Sequence, residues 1–214
     1  MDIVDFDQCL FYLGMASKSK SNLEVLLPYG AGLVGVLVGF LINVARDKLK
    51  DKSSSKNKME CIDEDVHRLR HLMKFSMLEL VETLNAISEK RKPTGANIPS
   101  SFKAPLLEDF FVDVAYKYDV QVRYHLKELI THTAKLDQRF NDLFEMQPGY
   151  DMSLKVLSLM DSCAYGVANC NGFYGEPALT GVVSILKSLN VHEDKITIYQ
   201  HMVLNAENHN SLNL

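Results

Sequence analysis

No GxSxG, P-loop, GxGxxG, HExxH or DxDxDG pattern occurs anywhere in the 214 residues. The short signatures of nucleophile elbows, phosphate cradles, dinucleotide turns, zinc proteases and calcium loops are therefore all missing. Cysteine is scarce and scattered: Cys9, Cys61, Cys163 and Cys170 lack CxxC spacing, which argues against a zinc knuckle or a dense disulfide framework and for reduced thiols. Positive charge is not in excess either. A formal net charge of −4 gives no general attraction for a phosphate backbone, so nucleic acid is not an expected partner. No internal repeat of useful length is present. These absences leave no catalytic residue and no cofactor to assign, and they favour a non-enzymatic protein.

What the chain does have is VLLPYGAGLVGVLVGFLINVA, Val25 to Ala45, twenty-one residues without a charge. As a helix at about 1.5 Å per residue it would extend roughly 31 Å, the thickness of a bilayer's hydrocarbon core. Twelve of these residues are Leu, Ile, Val or Phe, for a gross insertion term of roughly −4 to −7 kcal/mol. Four glycines, Pro28 and Asn43 erode that sum, but no Asp, Lys or Arg opposes it at the centre. An export signal fits less well: Asp2, Asp5 and Asp7 precede the run instead of basic residues, and the run exceeds the usual apolar length. A soluble core helix would show a polar face. The expectation is one N-terminal transmembrane helix.

Flanking charge orients it. Arg46, Lys48, Lys50, Lys52, Lys56 and Lys58 follow the run, against Lys18 and Lys20 before it. The excess marks the cytoplasmic side and leaves the N-terminus outside. Arg46, Lys48, Lys50 and Lys52 would then lie at the lipid headgroups, within a solvated, serine-containing basic linker over residues 46–59. Within the run, Ala31, Gly35 and Gly39 recur every four residues with Asn43 one turn later. That is a small-residue stripe ending in an amide, the usual close-packing face between membrane helices. Membrane lipid and either a second copy or a membrane-bound protein are thus the expected partners.

Residues 1–24 form a short tail, and 60–206 read as a helical cytoplasmic domain with a flexible end at 207–214. Ile62, Val66, Leu69, Met73, Met77, Leu80, Leu84 and Ile87 step by threes and fours, predicting a long amphipathic helix. PTGANIPSSFKAP, Pro93 to Pro105, must break the chain. A second helix from about Leu106 to Met146 would be unusually long, so a break near Tyr118 to Val122 is predicted. A third helix covers Ser153 to Cys170, and CNGFYGEP, Cys170 to Pro177, reads as a turn with Pro177 placed to open the next helix. Two short helices complete the chain, with β-branched Ile196, Thr197 and Ile198 leaving a strand as the alternative for the last. The fold class is all-α, a bundle of four or five helices on a membrane tether.

Three side-chain clusters merit weighing. Glu64, His67 and His71 share one face of the first long helix, as half of a carboxylate-bridged di-metal site would, and His125, Glu128 and His132 on the second do not supply the matching half. His67 and His71, interspersed with Arg68 and Arg70, read as a solvated or headgroup-near face, with no metal assigned, and Asp65 beside them reads as helix N-terminal charge. Cys163 and Cys170 read as buried free thiols. Tyr165, Asn169, Asn171, Phe173 and Tyr174 gather about a turn that either holds a small ligand or plugs the bundle end, the plug being favoured. In layout alone, on no diagnostic motif, the chain resembles small bacterial membrane-anchored accessory and defence-effector proteins. The expected function is a membrane-tethered interaction or scaffold protein; the alternative is a membrane-acting effector whose cytoplasmic domain gates oligomerisation of the span.

Overall fold

The computed structural model describes residues 22–93, 97–99, 101–177, 179 and 181–211, with side chains from Gly35 to Asn208. The tail before Asn22, Ala31 as a packing residue and the last three positions fall outside what it describes. Among the described residues every regular element is helical: α1 (Asn22–Ser88), α2 (Pro105–Val114), a 3-10 turn (Ala115–Lys117), α3 (Val120–Phe144), α4 (Tyr150–Phe173), α5 (Val182–Ser188) and α6 (Glu193–Ser211). The chain divides into two compact units, Met1–Ser54 and Ser55–Leu214.

In the second unit the predicted stripe of α1 is the heart of the core. Ile62, Val66, Leu69, Met73, Met77, Leu80 and Leu84 are all but completely buried, and Ile87 packs half-buried at their end. Helix α4 receives them and is buried on most of its circumference, through Val156, Leu159, Met160, Cys163, Val167 and Cys170. Such close approach needs small residues. A Cβ at Gly166 would overlap Met73 Sδ of α1, and one at Gly172 would overlap the His125 ring of α3.

The predicted break falls where expected. Tyr118 is extended, and Asp119 caps α3 by accepting from the Val122 N–H at 2.8 Å. Residues 46–59, expected as a solvated basic linker, are helical within α1. Between Phe40 and Lys92 there is neither glycine nor proline, so nothing interrupts the helix, and Lys56 pairs with Glu60 one turn on. Pro177 does not open α5, which starts at Val182 behind Gly181 at φ +84°. Ile196–Ile198 are helical: Ile196 and Tyr199 share one buried face while Glu193 and Asp194 favour the helix N-terminus.

Asp65 has a role the sequence did not reveal. It stands in the middle of α1, 4% exposed, and caps a different helix. The residue before α2, Ala104, offers no side-chain cap, and Pro105 has no N–H. Asp65 Oδ2 accepts from the next two N–H groups, Leu106 at 2.8 Å and Leu107 at 3.0 Å, while Oδ1 accepts from Arg68 at 2.9 Å. Arg68 also donates to the Lys103 carbonyl. Asp137 of α3 holds the same strap, accepting from Phe102 N–H at 2.6 Å and Ser101 Oγ at 3.0 Å, with the Phe102 ring stacked on Phe140 at 5.0 Å.

Asp65→Ala should therefore cost about 2–4 kcal/mol, because two buried N–H groups and a guanidinium lose their acceptor together. Glu60→Ala, which removes an exposed ion pair, should stay within about 0.5 kcal/mol. Urea denaturation followed by circular dichroism distinguishes the two, and equal effects would reject the capping role.

Candidate functional site

The metal candidates are kept apart. Glu64, His67 and His71 are exposed, facing away from the buried stripe of α1. On α3 each member of the second set is engaged with α4: His125 Nδ1 meets Asn169 Oδ1 at 3.0 Å, Glu128 accepts from Tyr165 OH at 2.6 Å, and His132 Nε2 lies 2.8 Å from the Ser162 carbonyl. A carbonyl oxygen only accepts, so His132 carries its proton on Nε2. Arg139 extends the seam, donating to Ser162 Oγ at 2.5 Å and Ser158 Oγ at 2.6 Å. Among the described residues no group of three His, Cys, Asp or Glu side chains is placed to hold a metal.

The aromatic cluster at the end of α4 is packed shut, and Cys170 to Phe173, expected in a turn, are the last helical residues of α4. Arg70 of α1 lies 4.5 Å above the Tyr174 ring and donates to both oxygens of Glu176 at 2.8 and 2.9 Å. Tyr174 OH donates to the Asp63 carbonyl at 3.3 Å, and Phe173 meets Tyr118 and Tyr174 edge to face. Asn169 and Asn171 are buried within it. The arrangement is a plug held by a cation over an aromatic face, with the amides spent on internal contacts. Among the described residues, the Tyr118 hydroxyl is buried without a hydrogen-bond partner, and burial pushes its pKa up to about 12.

Cys163 and Cys170 are buried free thiols, each raised to about 12 by burial. A thiol so reluctant to ionise is a poor nucleophile, and both serve as core.

The described part of the charge-free run behaves differently from the rest of the chain. From Gly35 to Ala45 the helix leaves large apolar side chains open: Val36 is 64% exposed, Phe40 65%, Leu41 63% and Ile42 61%. Gly35 and Gly39 have nothing within 4 Å of where a Cβ would stand. Asn43 is exposed on the same helix, as are Arg46, Lys48, Lys50 and Lys52 beyond it. Among the described residues no helix is long and apolar enough to cross a membrane; the side chains of residues 25–34, the first part of the run, are outside that description.

Two outcomes follow for the polar sites. Burial, together with nearby Arg139 and Lys135, lowers the His132 pKa below its ordinary value against the opposing pull of the Ser162 carbonyl and Glu128. A depressed folded pKa means that its contribution is complete above about pH 6.5, the unfolded value, and is lost as pH falls towards the folded value. The urea midpoint of the wild type should drop between pH 7.5 and 5.5, and His132→Gln should reduce that drop; an unchanged profile would remove His132 from the account. Tyr118→Phe removes the orphaned hydroxyl while keeping the ring contact, and should leave stability unchanged or raise it by up to about 1 kcal/mol. Compared with protein families, with curated proteins and with solved structures, this chain matches none.

Proposed function

We propose that this is a membrane-tethered helical interaction protein. Residues 25–45 cross the bilayer with the N-terminus outside, and the helical body acts at the inner surface through self-association or a membrane-bound protein partner. The observation that carries this reading is the open row of apolar side chains from Val36 to Ile42, inside a run with no charge and followed by a cluster of cations. In water that surface is costly at about 25 cal/mol per Å²; lipid or a neighbouring helix removes the cost. The open backbone at Gly35 and Gly39, with Asn43 one turn on, supplies a face on which a second span can pack closely. Arg46, Lys48, Lys50 and Lys52 contact the headgroups, each adding about 1 kcal/mol near an anionic leaflet. Tethering then raises the body's effective concentration for anything else held in the same membrane.

A second reading draws on Asn43 and the glycines. Several spans gathered along the Ala31, Gly35, Gly39 and Asn43 stripe would bring a ring of amides together within the hydrocarbon, where water can enter. The protein is then an effector that perturbs the bilayer when its cytoplasmic body permits assembly.

Alkaline carbonate washing of membranes should leave the full chain in the pellet; release into the supernatant would reject the tether. Crosslinking in native membranes should trap dimers or a constant partner. Gly35→Leu with Gly39→Leu should lower the dimer yield roughly tenfold, about 1.4 kcal/mol of close packing. On induced expression, a membrane-potential dye separates the readings: depolarisation abolished by the same double substitution supports the effector, and an unchanged potential supports the scaffold.

A further inference from the structure

Three helix ends in the second unit close in the same way, with one residue in the left-handed conformation and paired backbone bonds behind it. At the end of α4 that residue is Gly175 (φ +67°), with Glu176 N–H donating to the Asn171 carbonyl and Gly175 N–H to Gly172. At the end of α5 it is Asn190 (φ 56°), with Val191 bonded to Leu186 and Asn190 to Lys187. At the end of α1 it is Lys90 (φ 55°), with Arg91 bonded to Ala86 at 2.8 Å and Lys90 to Ile87 at 3.0 Å. Glycine and asparagine are the usual occupants of this position; a lysine there is strained by its Cβ. Lys90 thus stands where glycine or asparagine is usual, with its side chain exposed beside an open basin.

Lys90 borders a cleft. A cavity of about 270 Å³ is lined by Ile98, Leu143, Met146 and Met152, with Lys92 and Glu145 also at its wall. An open basin of about 520 Å³, lined by Lys90, Arg91 and Lys92, adjoins it, and the two share Lys92, Gln147 and Pro148. Arg91 is neutralised by Glu89 at 2.5 Å. Lys90 and Lys92 form no ion pair among the described residues. With Glu145 counted against them, the cleft keeps one positive charge beside an apolar recess that is small for a drug-sized pocket.

We infer that this cleft is a binding site for a small amphipathic anion, a single carboxylate or phosphate head on a short apolar body, with Lys90 and Lys92 on the head and the Leu143, Met146 and Met152 recess on the body. The site belongs to the helical body and is independent of the membrane tether, so its failure would leave the carbonate result standing. It supplies the kind of small-molecule input that an assembling membrane protein needs. Met146 and Met152 also report on it directly.

The test is a titration of the full chain, methyl-labelled at methionine and held in lipid nanodiscs, with octanoate as the probe. Saturable shifts of the Met146 and Met152 methyl resonances are expected, with those of core Met73 and Met160 unmoved. Octanol, lacking the charge, and inorganic phosphate, lacking the tail, should each need at least about tenfold higher concentration, close to the value of one charge-assisted contact. Lys92→Ala should weaken octanoate at least about fivefold. Lys90→Gly should weaken it similarly while raising Tm, since glycine relieves the backbone strain. Octanol as potent as octanoate, resonances that do not move, or unchanged affinity in both variants would each overturn the site.

Discussion

Helix α4 can be the centre of this bundle only because two of its residues lack a side chain. Gly166 lets the Met73 thioether of α1 lie against the helix, and Gly172 does the same for the His125 ring of α3. A helix so nearly enclosed must satisfy its polar groups inward, and α4 does: Ser162, Tyr165 and Asn169 face α3 and find His132, Arg139, Glu128 and His125 there. The apolar contact thus runs along one side of α4 and a polar seam along another. Burial supplies the driving force, while the seam's donors and acceptors set the register in which α3 meets α4.

Carboxylates fasten the remaining strap. The segment between α1 and α2 is rich in proline, and its described residues borrow acceptors from the helices it crosses. Glu79 takes the Asn97 N–H, Asp137 takes Phe102, and Asp65 takes the start of α2. Each is an acid on a long helix whose partner lies far off in sequence. Phe102, wholly buried on Phe140, is the apolar counterpart of these bonds. The strap begins beside the cleft whose rim carries Lys90 and Lys92.

Helix α1 carries two different apolar patterns along its length. In the body, apolar residues of α1 are buried at every third or fourth position, and the charged residues lie mostly between them on the exposed side. Between Gly35 and Ala45 the apolar residues surround the helix without a polar face. A helix apolar all round belongs in a core or in lipid. Both patterns lie within one helix, α1, from Asn22 to Ser88.

Periodicity made the larger elements legible. The stripe from Ile62 to Leu84 and the break at Tyr118 follow from spacing and local stereochemistry, and the structure agrees with them, while α4, predicted over Ser153 to Cys170, extends to Tyr150 and Phe173. Where local rules were weaker than their surroundings they misled. Serines suggested a linker that is helical, since no breaker stands between Phe40 and Lys92; β-branched Ile196–Ile198 allowed a strand, but Ile196 and Tyr199 find their burial only as a helix. Asp65 looked like local helix charge, and its true partners lie about forty residues away. The histidines of α3 had the wrong spacing for a matching metal half-site, and their actual partners, Asn169 and the Ser162 carbonyl of α4, were not legible from spacing. By itself, then, the sequence determined the helical class, the core stripe and the charge-free run, because hydrophobic spacing is a local property of the chain. The capping by Asp65, the closing of the aromatic turn over Arg70 and the meeting of Lys90 with the Met146 recess were decided only in three dimensions, because hydrogen bonds and cavities depend on which distant residues are brought together.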